Sequence, residues 1–167
     1  MSTGRAARVL ITALVVMFEW SVGPPRAYAQ IEDVRITVEG MTCNLCAAGL
    51  ERTLRRVEGV TSVKVVLASE TATIRLKPGA AVAPARLRAA VDSAGQRLRV
   101  VEVRLRGTLQ RQDGGYEIHP PGYSQAFTVR DTSTLEGLAG KHVQLRGRVV
   151  SADAAAVELE LVDVEPL

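Results

Sequence analysis

Residues 40–46 read Gly-Met-Thr-Cys-Asn-Leu-Cys, and they join a segment with strand periodicity to a segment with helical periodicity. Before them, Val34, Ile36 and Val38 alternate with charged or polar residues, which predicts a half-buried strand. After them, apolar residues recur at helical spacing, namely Leu45, Leu50, Leu54 and Val57. The two cysteines of the segment, Cys43 and Cys46, therefore fall at a strand-to-helix junction.

Outward from this junction the same two periodicities continue to about residue 100. Alternating runs at 63–67 and 72–76 predict two more strands, and Pro78-Gly79 ends the second. Pro84 suits the first turn of a second helix and Gly95 suits its C-terminal cap. The apolar stripe of that helix is Leu87, Ala90, Val91 and Ala94. A fourth strand begins at Leu98, so the order β-α-β-β-α-β predicts a ferredoxin-like sandwich of the α+β class.

The parity of the apolar residues changes close to residue 100. Leu98 and Val100 are even-numbered, whereas the next apolar or small positions are odd-numbered: Val101, Val103, Leu105, Gly107 and Leu109. A one-residue slip moves side chains to the opposite face of a sheet. We therefore expect a β-bulge or a domain boundary near residues 100–104.

Charge also divides the chain into two parts. The net formal charge is only +3, which is too small to argue for nucleic acid as a partner. Residues 30–103 have an excess of basic side chains, and residues 107–167 an excess of acidic ones. The difference in sign favours two units. We take these as residues 30–102 and residues 103–167, and call the second the C-terminal region.

The C-terminal region has the pattern of several short strands and one short helix. A helix is expected near Thr134–Ala139, before the fourth strand. The five expected strands are Arg104–Arg111, Gly115–His119, Ala126–Arg130, Lys141–Val150 and Ala156–Val164. This order predicts a small OB-like β-barrel. Its acidic balance opposes phosphate binding, and its aromatic residues are too scattered for a base-stacking platform.

The first 29 residues have the features of a secretory signal peptide. Arg5 and Arg8 give a basic start, residues 9–18 form a short apolar run, and Ala27-Tyr28-Ala29 fits a cleavage site before Gln30. The run is too short to span a bilayer, which takes about 20 residues. We expect a periplasmic or secreted protein without a stable membrane anchor; an uncleaved N-terminal anchor is the alternative.

The two cysteines are the only ones in the chain, and they point to chemistry rather than to a structural staple. A disulfide across three positions closes almost no loop, so it stabilises little. At a helix N-terminus the unpaired amides and the helix dipole favour thiolates. Two thiolates suit soft ions of low coordination number such as Cu(I). A four-ligand zinc site would need two more ligands, and the distant His119 and His142 fit ordinary surface residues better.

The segment Gly40-Met41-Thr42-Cys43-x-x-Cys46 between a strand and a helix resembles the heavy-metal-associated domain over about residues 31–100. That family includes copper chaperones, N-terminal modules of metal-transporting ATPases and the periplasmic mercury-binding protein. The resemblance implies that Cys43 and Cys46 bind the metal, and that Gly40, Met41 and Thr42 shape the loop, with Met41 packed inward rather than ligating.

The resemblance also bears on which metal is bound. Many relatives carry an aromatic residue or a lysine over the metal loop at the position of Gln96 in this chain. Zinc- and cadmium-type relatives often carry an acidic residue at the position of Thr42, which has no charge. The resemblance therefore favours Cu(I) or Hg(II) over Zn(II).

These observations predict a non-enzymatic metal carrier, chaperone or scavenger. Its partner would be a metal donor or acceptor such as a metal-transporting ATPase or a membrane transporter. The exposed basic residues of the first helix, Arg52, Arg55 and Arg56, are either a solvated face or a docking patch. Two alternatives stay open: a thiol-disulfide oxidoreductase, and a metal-sensing adaptor that acts through the C-terminal region. The sequence shows no catalytic triad, phosphate loop or paired catalytic carboxylates.

Overall fold

The computed structural model describes residues 30–120, 123–130, 133–153 and 155–167. The predicted signal peptide at residues 1–29 lies outside the described residues. Within the described ranges, none of the helices has the length and apolar character needed to cross a membrane.

Residues 30–108 form the predicted β-α-β-β-α-β arrangement. Its elements are β1 (Gln30–Glu39), α1 (Asn44–Leu54), β2 (Val60–Val66), β3 (Thr71–Leu76), α2 (Pro84–Ser93) and β4 (Arg97–Thr108). A short 3-10 turn, Leu67–Ser69, joins β2 to β3. The strands lie in the order β2-β3-β1-β4 and all pair antiparallel. The ferredoxin-like fold predicted for this part of the chain is confirmed.

The core of this part lies between the helices and one face of the sheet. Alternate residues of β1 are buried, as the alternation of Val34, Ile36 and Val38 predicts. The helices bury their apolar stripes against them, through Leu50 and Leu54 of α1 and Leu87 and Val91 of α2.

Leu45 is an exception among the apolar residues assigned to the stripe of α1. Its side chain is 85% exposed. Five positions separate it from Leu50, which places the two about 140° apart around a helix, whereas Cys46 lies four positions from Leu50 on the same face. The expectation that Leu45 belongs to the apolar stripe was wrong.

A β-bulge causes the change of parity near residue 100. Thr37 pairs with Val100 and the next residue, Val38, pairs with Leu98, so Arg99 is the extra residue on β4. The predicted boundary between residues 102 and 103 lies inside β4, which runs without a break from Arg97 to Thr108. The division into two folding units stays a prediction.

The C-terminal region is rich in β-structure and continues the same sheet. Its strands are β5 (Gln110–Gln112), β6 (Gly115–Ile118), β7 (Ala126–Val129), β8 (His142–Ala152) and β9 (Ala156–Pro166). The full order is β2-β3-β1-β4-β8-β9-β7-β6-β5. The first predicted strand of this region is divided between the end of β4 and β5.

The helix expected near Thr134–Ala139 was wrong. In the described part of this segment, residues 133–137 form turns, and the Leu138 N–H donates to the Leu135 carbonyl at 3.1 Å. Gly137 and Gly140 have φ values of +80° and +78°, a backbone conformation that a right-handed helix does not contain. Leu135 is buried all the same, so the segment covers core residues without being helical.

Candidate metal centre

The loop between β1 and α1 presents both cysteines at the N-terminus of α1. Gly40 has a φ of +95°, which a residue with a side chain rarely adopts, and it turns the chain out of β1. Cys43 is the N-cap of α1, with φ −147° and ψ 158°, and Cys46 is the third residue of the helix. The Cys46 N–H donates to Cys43 Sγ at 3.0 Å, so a backbone amide already supports the first sulfur. The placement of both cysteines at a helix start was predicted correctly.

The site opens to solvent on one side. Cys43 is exposed and Cys46 is half-buried. Thr42 and Leu45 beside them are also exposed. A partner protein can therefore approach Cys43 directly.

Cys43 and Cys46 are joined by a disulfide in this structure, with their Cα atoms 5.1 Å apart. A disulfide sulfur is a poor metal ligand, because metals bind the thiolate. Reduction by two electrons and two protons gives two thiols, and after loss of their protons the two thiolates can converge on one ion. Within the described residues, no group of three or more Cys, His, Asp or Glu side chains is arranged to hold a metal. The two sulfurs of Cys43 and Cys46 are the candidate donors at this loop.

Met41 and Gln96 support the loop from inside the protein. Met41 is 3% exposed and lies in the core, as the resemblance implies. Gln96 is 5% exposed, and its Nε2 donates to the Cys46 carbonyl at 3.1 Å. Its Oε1 is buried and has no hydrogen-bond partner among the described residues. Gln96 thus ties the start of β4 to the first turn of α1.

The two histidines lie in the C-terminal region, and the structure does not bring them to the cysteines. His119 is exposed, with its Nε2 3.0 Å from the Glu117 carboxylate. His142 begins β8 and is half-buried.

The basic residues of α1 form a face of their own. Arg55 makes an ion pair with Glu51 one helical turn before it. Arg52 and Arg56 are exposed, and with Ala48 they surround a shallow surface depression.

Comparison with known proteins assigns the first part of the chain to a family. Residues 35–97 match the model of the heavy-metal-associated domain. The chain therefore contains a heavy-metal-associated domain, which includes β1 and the two-cysteine loop, and the predicted resemblance is confirmed.

Several curated relatives are copper-transporting ATPases. The copper-exporting P-type ATPase of Bacillus subtilis is 38% identical over 69 residues, which is 41% of this chain and 8% of that protein. Copper-transporting ATPase 2 of Homo sapiens is 36% identical over 80 residues, which is 47% of this chain and 5% of that protein. The chain thus spans less than a tenth of these relatives.

Solved structures resemble the same part of the chain. The CopZ metallochaperone is 26% identical, with a TM-score of 0.38, covering 41% of this chain and 100% of that one. Oxidized MerP from Ralstonia metallidurans is 28% identical, with a TM-score of 0.37, covering 42% of this chain and 94% of that one.

Proposed function

We propose that this protein is a carrier that holds one soft metal ion between Cys43 and Cys46 in their reduced form, with Cu(I) as the cargo favoured first and Hg(II) second. The observation that carries the proposal is the meeting of two sulfurs at the open N-terminus of α1. Similarity to relatives such as the copper-exporting P-type ATPase supports copper as the cargo ion.

Two sulfur donors without a third ligand suit a linear or nearly linear complex. Cu(I) and Hg(II) accept such a complex, whereas structural Zn(II) takes four ligands. A site with two ligands leaves space for a thiolate of the partner, through which the ion moves in a shared intermediate. This favours transfer over storage.

Competition of the reduced protein against a Cu(I) chelator tests the proposal. We expect one ion per chain, and loss of binding in Cys43→Ser and in Cys46→Ser. Met41→Leu serves as the matched control, because a residue that only packs in the core leaves the ion bound. Unchanged affinity in the double serine variant would show that the ion is held elsewhere.

We further propose that the protein acts outside the cytoplasm, after cleavage before Gln30, and exchanges metal with a transporting ATPase or a membrane transporter. The exposed Arg52 and Arg56, toward the end of α1 opposite the cysteines, suit an acidic partner surface. N-terminal sequencing of the protein from its native host checks the cleavage, and a mature chain that begins at Met1 would contradict it. Fractionation of the host cells checks the location, and recovery of the protein with the cytoplasmic fraction would contradict export.

A second candidate function is thiol-disulfide exchange, which the bridge between Cys43 and Cys46 favours. In that reaction the bridge would accept two electrons and two protons from a dithiol and pass them to a disulfide substrate. Turnover of such a substrate with excess dithiol tests it. If the bridge reacts once per chain without turnover, the exchange function is rejected and only the carrier function remains.

We propose that the C-terminal region forms an OB-like barrel. Its proposed role is docking or structural. The strands β4-β8-β9-β7-β6-β5 begin and end on one stretch of chain, since only Leu109 separates β4 from β5. Closure of this kind removes exposed strand edges. An experimental structure in which β4 and β5 diverge, leaving an open sheet, would contradict the barrel.

A further inference from the structure

A groove of about 920 Å³ lies where β4 and β8 separate, on the side of the loop that leads into α2. One wall is the start of β4, and the opposite wall is the end of β8 with the turn after it. The loop at residues 77–83 and the first turn of α2 complete it. We call it the β4–β8 groove. Its volume is near the upper end of the range for ligand sites.

The β4–β8 groove exposes strand edges. β8 pairs with β4 only over Glu102–Thr108, and from Val149 onward its ladder is with β9 alone. Residues 97–101 therefore pair with β1 on one side, and the described chain supplies no strand on the other. Alternate residues of a strand direct their N–H and C=O groups to that free side. The bulge at Arg99 interrupts this alternation once. Five residues of open edge extend at most about 16 Å, enough for a short extended peptide.

Basic side chains dominate the groove. Five of its lining residues are basic and two are acidic: Lys77, Arg86, Arg88, Arg99 and Arg148 against Glu58 and Asp153. Arg86, Arg99 and Arg148 have carboxylate partners. Lys77 and Arg88 have no ion pair among the described residues, and both are exposed. The Asp153 carboxylate accepts hydrogen bonds from the Ala155 and Ala156 N–H groups. Lys77 and Arg88 together outweigh the single charge of Asp153, so the groove keeps a net positive charge that attracts an anionic occupant.

An apolar contact and a rigid wall complement the charges. Val150 occupies the bulge of β8, and its side chain is 63% exposed although it lines the groove. Gln125 is buried, and its side chain accepts from the Val82 N–H at 2.8 Å and donates to the Asp153 carbonyl at 2.8 Å. This bridge fixes the loop before α2 against the turn after β8. These two parts of the groove lining are therefore fixed relative to each other.

We propose that the β4–β8 groove binds an extended acidic segment of a partner protein, which adds as a strand to the open edge of β4. The free edge supplies backbone hydrogen bonds, Val150 contacts an apolar side chain, and Lys77 and Arg88 pair with carboxylates. Apolar and acidic residues alternate in the matching segment, because neighbouring side chains of a strand point to opposite sides. This site needs neither cysteine, so it stands or falls independently of metal binding.

Fluorescence anisotropy with the labelled peptide Glu-Val-Asp-Val-Glu-Val-Asp tests this proposal on the reduced, metal-free chain. We expect saturable binding that the double variant Lys77→Glu with Arg88→Glu weakens by roughly tenfold or more. The matched control is Lys64→Glu with Arg111→Glu, which changes the charge equally at exposed side chains of β2 and β5 that do not line the groove. At physiological salt, screening keeps its effect within about twofold.

Two further peptides separate strand addition from simple charge attraction, and they need no variant of the protein. Each carries N-methyl groups on alternate amides, one on the odd and one on the even positions. One of the two loses binding if the peptide pairs with β4. Equal binding of both overturns the proposal, as does no saturation up to about 1 mM. A peptide with Lys in place of each acidic residue and an oligothymidine are the charge controls, and equal binding of either one also overturns the proposal. Self-association of the chain through the groove would overturn it too.

Discussion

Gln96 joins two parts of the metal centre through a single buried amide. Its Nε2 supports the Cys46 carbonyl, while its Oε1 is buried without a partner among the described residues. A buried unpaired acceptor costs about 1–3 kcal/mol, more than the ~1 kcal/mol that one hydrogen bond contributes. Gln96 thus destabilises the fold through its buried oxygen, and it holds the first turn of α1 through its amide N–H.

Gln96→Leu tests this balance. Leu has a similar volume and removes both the hydrogen bond and the unpaired oxygen, so we expect the free energy of unfolding to stay equal or to rise by about 1 kcal/mol. Urea denaturation of the reduced chain measures it. Gln96→Ala is the comparison, since it adds a cavity and is expected to destabilise by about 1–3 kcal/mol. A large loss of stability with Leu would mean that the amide bond outweighs the orphaned oxygen.

At the scale of the element, α1 directs different apolar residues to the core and to the metal mouth. We expect Leu50→Ala to lower the free energy of unfolding by about 2–5 kcal/mol, because Leu50 is fully buried. Leu45→Ala should change it by no more than about 0.5 kcal/mol, because Leu45 is exposed. Thermal and urea unfolding of the two variants check this contrast. Similar losses of stability in both variants would mean that Leu45 packs in the core after all.

The turn between β8 and β9 depends on one carboxylate. Hydrogen bonds from the N–H groups of Ala156 and Ala155 hold the pKa of Asp153 below its ordinary value of 3.8. The folded state favours the ionised form of Asp153, so this carboxylate contributes to the free energy of unfolding above pH 3.8. That contribution is lost as the pH falls through the lowered pKa. NMR titration of the Asp153 carboxyl should give a midpoint below 3.8, and Asp153→Asn should weaken protection of the two amides. A midpoint at or above 3.8 would contradict the turn geometry.

Local patterns were sufficient where structure is local. Alternation at Val34 and Val38 gave β1, Pro84 and Gly95 gave the limits of α2, and the cysteine spacing placed both sulfurs at a helix start. The helix expected near Thr134–Ala139 was wrong, because Gly137 within this segment and Gly140 just after it both have positive φ values. The parity change indicated a bulge or a boundary equally well, since both move side chains to the other face.

Contacts between distant residues were beyond the sequence. Gln125 bonds with Val82, 43 positions away, and nothing in its local sequence marks it. The position of Gln96 at the metal loop was expected from the family resemblance alone, because its partner Cys46 lies 50 positions earlier. The β4–β8 groove was missed for this reason, because it exists only where two strands that are distant in sequence diverge.

At the scale of the whole molecule, β4 is shared by both parts of the chain. Leu105 pairs with Ile31 of β1 on one side and with Leu145 of β8 on the other. All three side chains are buried. If β4 unfolds with either part of the chain, the other part loses the strand that pairs with it. We therefore expect residues 30–167 to unfold in one cooperative transition, although the sequence favours two units.

Leu105→Ala tests this coupling. Removing a fully buried Leu should cost about 2–5 kcal/mol. Native-state hydrogen exchange should show the same fall in opening free energy at Ile36 of β1 and at Leu159 of β9, because both amides would open only with the whole molecule. Val66→Ala, on the exposed side of edge strand β2, is the control and should change both little. If the fall in opening free energy is confined to one side of β4, residues 30–102 and 103–167 open separately, and the single cooperative transition is contradicted.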